Sequence, residues 1–273
     1  MSNTINDWLD VGERALKYKA ERPRREAEIL LGSAINKDRL YLITHGEEEA
    51  EAPDFHQMLI RRNENEPIEY ITSKVSFFSQ EFHISTGALI PRPETEILIE
   101  KLLEKLDTDT QESIVEVGIG SGVISIVLAQ HLEKASFLAT DISPDALTIA
   151  KMNISIKQMT KRIEIFQTDL LEDVDKKIDI LVSNPPYIED GIVLEANLAF
   201  EPQNALYGGN IGDEILKRLI DESFTREVRI LACEMGYDQK DKIETYLKDF
   251  DFKSLEFYKD YAGFDRGFIL TLV

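Results

Sequence analysis

The spacing of apolar positions changes once along the chain. Up to about residue 70 it is helical. Residues 4–19 carry Ile5, Trp8, Leu9, Val11, Ala15 and Leu16, and residues 24–35 carry Ala27, Ile29, Leu30, Leu31 and Ala34. After a loop marked by Gly46 and Pro53, residues 55–63 add Met58, Leu59 and Ile60. A helix with one apolar stripe needs a partner, so these stretches predict a small helical bundle. Residues 75–78 and 81–84, either side of Ser79-Gln80, predict a hairpin that joins this part to the next.

Beyond the hairpin, strand-length apolar runs alternate with helical ones. Residues 113–117, 136–141, 162–168, 178–183 and 228–234 read as strands, and 123–132, 145–156, 213–223 and 239–250 as helices. Residues 255–259 and 268–273 read as a closing antiparallel pair. Such alternation predicts the α/β class, with a Rossmann-like sheet of seven strands behind the helical bundle. The expected division is a helical domain over 1–72, a hairpin linker over 73–88 and an α/β domain over 89–273.

The chemistry concentrates where two of these strands end. The run Ile178-Asp179-Ile180-Leu181-Val182-Ser183 stops at Asn184-Pro185-Pro186-Tyr187. Ligands bind at the carboxyl ends of strands in α/β sheets. Pro185 and Pro186 fix φ and lack an N–H, so the turn is stiff and its carbonyls point outward. The Asn184 side chain adds a carbonyl oxygen and an NH2, and Tyr187 adds an aromatic face. This set suits a planar –NH2, either an exocyclic base amine or a carboxamide. The Asn184 side chain and the Pro185 carbonyl can accept both N–H bonds and turn the nitrogen lone pair toward an electrophile, so that positioning supplies the catalysis. The same residues also read as a Pro-Pro turn that closes a strand.

The second stretch is Glu116 to Gly122. A glycine-rich turn, Gly118-Ile119-Gly120-Ser121-Gly122, joins a strand to a helix. A dinucleotide fingerprint would need Gly or Ala at Val123, so the NAD reading fails. The spacing Glu116-x-Gly118-x-Gly120-x-Gly122 instead resembles the first motif of S-adenosylmethionine-dependent methyltransferases. Glycines admit a close backbone approach to the methionine portion, and the helix N-terminus favours its carboxylate. Asp141, ending the next strand, is placed to accept from both ribose hydroxyls. Asp169 and Leu170, ending the third, are placed beside the adenine amine and ring, although both also read as cap and core residues. Arg92, held between Pro91 and Pro93, is expected to line the pocket, and residues 188–212 to cover the substrate.

Composition narrows the partners. A net charge of −20 with a pI near 4.6 argues against a broad nucleic-acid footprint and favours a basic protein partner. The single cysteine, Cys233, excludes an intrachain disulfide, and His45, His56, His83 and His131 show no metal-ligand spacing. With no apolar run of membrane-spanning length and no basic-then-apolar start, the expectation is a soluble, cytoplasmic protein without a membrane partner.

Taken together, the chain resembles the PrmC/HemK family, which methylates the glutamine of the Gly-Gly-Gln motif in class I peptide chain release factors. The matching stretches are Arg25 to Leu31, Glu66-Pro67-Ile68-Glu69-Tyr70, Leu89 to Glu96, Glu116 to Gly122, Asn184 to Tyr187, Phe200-Glu201-Pro202 and Asp260-Tyr261-Ala262-Gly263. The resemblance implies a helical domain that engages the release factor. It also implies a methyltransferase domain with the cofactor on Gly118, Ile119, Gly120, Ser121, Gly122, Asp141, Asp169, Leu170 and Asn184. Asn184 and Pro185 would hold the glutamine amide, and Pro186 and Tyr187 would shape its slot. Ile119, Ser121 and Leu170 depart mildly from residues often found in relatives. A sister family acting on a ribosomal-protein glutamine, adenine-N6 DNA methyltransferases and a non-catalytic adaptor are the alternatives. Pro91-Arg92-Pro93-Glu94-Thr95-Glu96 disfavours the first and the acidic charge the second.

Overall fold

The computed structural model describes residues 3–272, so Met1, Ser2 and Val273, at the outer limits of the expected domains, lie outside it. It divides into two compact units. One runs to Lys74 and takes in Glu195–Phe200, and the other holds Val75–Leu194 and the residues from Glu201 on.

The smaller unit contains α1 (Ile5–Leu16), α2 (Pro23–Ile35), α3 (Arg39–Thr44), α4 (Phe55–Asn63) and α5 (Ile68–Thr72). Thr4 starts α1 with a capping box. Its hydroxyl accepts from the Asp7 N–H at 3.1 Å, and the Asp7 carboxylate accepts from the Thr4 N–H at 2.9 Å. Pro23 opens α2, and Asn36 closes it in the left-handed conformation. The apolar stripes meet in a core of Ile5, Leu9, Leu16, Ala27, Leu30, Leu31, Phe55 and Leu59. Gly12 lets α1 approach closely, because a Cβ there would lie 2.7 Å from the Ala27 Cβ and 2.8 Å from the Phe55 ring. Gly12→Val is therefore expected to destabilise this unit by about 1–3 kcal/mol through overpacking. Urea unfolding followed by Trp8 fluorescence reads the effect.

From the boundary on, β1 (Lys74–Phe77) and β2 (Gln80–His83) form the expected hairpin, followed by α6 (Pro93–Leu103). Then come β3 (Ser113–Val117), α7 (Val123–His131), β4 (Ser136–Asp141), α8 (Pro144–Ile156), β5 (Ile163–Gln167) and β6 (Ile180–Ser183). Two short strands, β7 (Ile188–Glu189) and β8 (Tyr207–Gly209), pair with each other in the segment expected to cover the substrate. The chain ends with α9 (Glu214–Thr225), β9 (Ile230–Glu234), α10 (Lys240–Tyr246), β10 (Ser254–Lys259) and β11 (Asp265–Thr271).

The main sheet has seven strands in the order β10-β11-β9-β6-β3-β4-β5, with β11 antiparallel to both of its neighbours. From β3 the chain winds outward through β4 and β5, then returns to place β6 on the other side of β3. That reversal opens a crevice at the carboxyl ends of β3 and β6, where ligands bind in such sheets. Register fixes its two edges, because Val117 pairs with Ser183 and the next residues are Gly118 and Asn184. Helix α7 is buried on every face, as its continuous apolar run requires.

The hairpin is fastened to the larger unit. The Asn153 side chain on α8 accepts from the His83 N–H and donates to the His83 carbonyl, both at 2.8 Å, while Phe77 and Phe82 are buried. The boundary between units therefore falls at Lys74/Val75, inside the segment 73–88.

Candidate active site

The first wall of the site is the turn after β3. The Gly118 and Ile119 N–H groups each donate to the Thr140 carbonyl at 2.9 Å, which pins the turn to the end of β4. Gly118 and Gly120 have φ of +76° and +53°, a left-handed region that favours glycine. Beyond its chain neighbours, nothing lies within 4 Å of a Cβ built at Gly118, and only the Gly118 carbonyl oxygen, at 4.0 Å, approaches one built at Gly120. The backbone is thus bare toward the crevice. Gly122 differs: a Cβ there would meet the Ala150 backbone at 3.5 Å, so it serves helix packing. Asn153 also donates to the Ser121 carbonyl at 2.8 Å and braces the turn from behind.

Asp141 forms the second wall. Its two oxygens accept from the Gly120 and Ser143 N–H groups, each at 2.9 Å, and a carboxylate retains further lone pairs for a ligand. Burial raises its pKa against the pull of these backbone donors. Beneath it Glu116 is fully buried and accepts from the Ser125 N–H at 2.9 Å and from the Ser125 hydroxyl. Burial pushes the Glu116 carboxyl up to about 8 despite those bonds, and Asp141 adds to the rise.

A raised carboxylate pKa makes the folded state bind more protons than the unfolded chain between about pH 4.5 and 8, so stability falls as pH rises across that window. Glu116→Gln removes the charge and is expected to gain on the wild type steadily from pH 5 to 8. Urea midpoints measured across that range give the difference, and parallel curves would remove the buried charge from the account.

The third wall is the turn after β6. The Ser183 hydroxyl donates to the Val117 carbonyl at 2.7 Å and locks this turn beside the first. Together the walls enclose a cavity of about 360 Å³. Gly118, Ile119, Gly120, Ser121, Asp141, Asp169, Leu170, Asn184, Pro185 and Pro186 border it; Gly122 and Tyr187 do not. The Tyr187 ring is thus not a face of this cavity. Its phenol, raised in pKa chiefly by burial, donates instead to Glu234 at 3.2 Å. Asp169 pairs with Arg218 at 2.8 Å, and Leu170 lies beside it with φ +47°, its carbonyl accepting from the Thr140 hydroxyl. The neighbouring Thr168 hydroxyl is buried without a partner.

Arg92 also departs from expectation. Pro91 borders the cavity, whereas Arg92 makes an ion pair with Glu201, whose buried carboxylate also accepts from the Ile90 N–H at 3.0 Å. A buried carboxylate needs such partners, and here they tie the segment before α6 to the middle of the covering segment.

Residues 7–72 match the PrmC N-terminal domain, and residues 94–201 match the Methyltransferase small domain. The release factor glutamine methyltransferase of Moorella thermoacetica is 38% identical over 258 residues, which is 91% of each chain. That of Clostridium acetobutylicum is 36% identical over 252 residues, 88% of each chain. The chain belongs to the release factor glutamine methyltransferase family.

Solved structures agree on the fold. The ribosomal protein L11 methylase of Lactobacillus delbrueckii subsp. bulgaricus is 25% identical with a TM-score of 0.52, covering 69% of this chain and 83% of that one. A methyltransferase from Pyrococcus furiosus is 17% identical with a TM-score of 0.54, covering 80% and 98%. Two residues of this release factor glutamine methyltransferase family member escaped the sequence reading. Thr95 borders the cavity, and its hydroxyl bonds both Asn184 and the buried Glu234. The available signal was an acidic residue closing the otherwise apolar run Ile230-Leu231-Ala232-Cys233-Glu234.

Proposed function

We propose that this enzyme transfers a methyl group from S-adenosylmethionine to the side-chain amide nitrogen of the glutamine in the Gly-Gly-Gln motif of class I release factors. One observation carries this reading. The bare glycine turn and the Asn184-Pro185 turn leave adjacent strands side by side and border one cavity.

The residues present fit the cofactor. Gly118 and Gly120 leave space for a close backbone approach, the unpartnered Thr168 hydroxyl would serve the adenine end, and the Asp141 carboxylate borders the same cavity with lone pairs to spare. When bound, S-adenosylmethionine supplies an electrophilic methyl group on a sulfonium. Gly118 to Ser121 would hold its methionine portion, Asp141 its ribose hydroxyls, and Asp169 and Leu170 its adenine. The Asn184 side-chain oxygen and the Pro185 carbonyl would accept the two N–H bonds of the substrate amide and turn its lone pair toward that methyl. No general base is required, because the N-methylated amide cation is a strong acid that releases its proton to water.

The helical unit, expected over residues 1–72, would dock the release factor, and the setting would be the cytoplasm, where translation runs. No helix among the described residues is long and apolar enough to cross a membrane. The relatives' names favour release factors over the ribosomal-protein alternative, and a charge of −20 disfavours a DNA substrate. The test is transfer of labelled methyl to intact class I release factor, its glutamine variant, a ribosomal-protein fraction and unmethylated DNA. Label only in the intact factor is the expected result, and label only in another substrate would replace the reading.

A further inference from the structure

An asparagine amide has an acceptor at one end and a donor at the other, and a substrate –NH2 is accepted only if the oxygen faces it. The Asn184 Nδ2 lies 3.0 Å from the Thr95 hydroxyl oxygen, in the first turn of α6. A threonine hydroxyl can donate or accept, so it does not by itself fix which way the amide points. The next bond does. The Thr95 hydroxyl donates to Glu234 Oε2 at 2.7 Å, and both Thr95 (3% exposed) and Glu234 (1% exposed) are buried.

A carboxylate only accepts, so Thr95 must spend its proton on Glu234 and offer its lone pair to the Asn184 NH2. The Asn184 oxygen is left for the site. The second Glu234 oxygen accepts from the Tyr187 hydroxyl, and the Arg266 guanidinium, itself held by Asp260 at 2.8 Å, favours the charged form.

We infer that Glu234 and Thr95 are positioning residues: their hydrogen-bond chain from β9 through α6 orients the Asn184 amide so that its oxygen faces the substrate –NH2, and so sets the choice of an NH2 donor as substrate. This deepens the proposed function and rests on it for the identity of the substrate. The chain is polar, so adding one proton reverses it. Protonated Glu234 donates to Thr95, Thr95 donates to the Asn184 oxygen, and the amide turns its NH2 toward the site.

Burial pushes the Glu234 carboxyl up to about 7, against the hydrogen bonds from Thr95 and Tyr187 and the charge of Arg266, while Glu94 raises it. The Tyr258 hydroxyl and the Cys233 thiol are also near, and burial drives both above their usual range. Neither titrates near neutrality. Asp260 is held below the carboxylate range by Arg266. Glu234 is the member of this group whose charge changes near pH 7.

The experiment uses the full-length enzyme with S-adenosylmethionine and release factor. Thr95→Val removes the hydroxyl at nearly constant volume and should lower kcat by about 10²-fold, with release-factor KM and calorimetric cofactor affinity nearly unchanged. Thr95→Ser should restore most of the rate. Equal rates in the Val and Ser variants, or a wild-type rate in Thr95→Val, would overturn the inference. A second readout needs no substrate. The Asn184 side-chain 15N–1H signals, assigned by their loss in Asn184→Ala, should titrate near pH 7 in wild type and stay fixed in Glu234→Gln. Signals that do not move in wild type would overturn the chain even if the release factor is methylated. Absence of methylation with titrating signals would instead overturn the substrate and leave the chain standing.

Discussion

Asn184→Ala is expected to lower methyl transfer by about 10²-fold or more while leaving cofactor affinity within a few-fold of wild type. The amide nitrogen of a glutamine is a poor nucleophile because its lone pair is delocalised into the carbonyl. What the site can supply is direction, and direction depends on two acceptors. The Pro185 carbonyl belongs to the backbone and survives any side-chain change, so Asn184 is the half of the pair that mutation can remove. Its loss leaves one acceptor and lets the amide rotate away from the line of attack. Asn184→Asp separates geometry from charge, since it keeps an acceptor toward the substrate but turns a second acceptor on Thr95, which already donates to Glu234. That variant should also be slow. Single-turnover transfer from labelled cofactor, with calorimetric titration alongside, separates rate from binding. A wild-type rate in Asn184→Ala would falsify the assigned role.

The features legible in the sequence share one property: their cause lies within a few residues. The Gly118 to Gly122 turn, the proline-stiffened end of β6 and the carboxylate of Asp141 follow from local backbone rules. The alternation of apolar periods then gives the sheet. Features that were not legible have distant causes. Tyr187 reads as an aromatic face in the sequence, and what the sequence does not show is that Glu234, placed by β9, accepts from its hydroxyl. Arg92 looked like a pocket residue because its prolines hold it stiff, but its partner Glu201 lies 109 positions on. The hairpin reads as a joining element between two parts, and the sequence does not show that it is fastened by Asn153, 70 positions beyond His83. Thr95 sits in the first turn of α6 between Glu94 and Glu96, and nothing local reveals its bond to Glu234, 139 positions away. Side-chain partners of this kind require the packed sheet, whereas turn chemistry does not.

Asp141→Ala should produce the largest loss of cofactor affinity, about 10²-fold or more. Two hydrogen bonds from ribose hydroxyls to a charged group are worth about 1.5–3 kcal/mol each, net of the water they displace. The same side chain has a second task. It accepts from the Gly120 and Ser143 N–H groups, so its removal leaves the glycine turn without the anchor that holds Gly120 against the cavity. Affinity is therefore lost both by missing contacts and by a looser turn. Asp141→Asn tests the division, because its NH2 must oppose one of those backbone donors while its oxygen can still serve the other. It should bind more weakly than wild type by nearly as much as the alanine variant.

The pH dependence follows from the raised pKa of Asp141. As pH falls through that value the carboxylate gains a proton, stops accepting at one oxygen and releases the cofactor. Affinity should thus decline on the acid side in wild type and be flat in Asp141→Ala. Calorimetry at several pH values reads both effects. A wild-type-like affinity in Asp141→Ala would move ribose recognition elsewhere, and an acid-side decline that persists in the alanine variant would separate the pH dependence from Asp141.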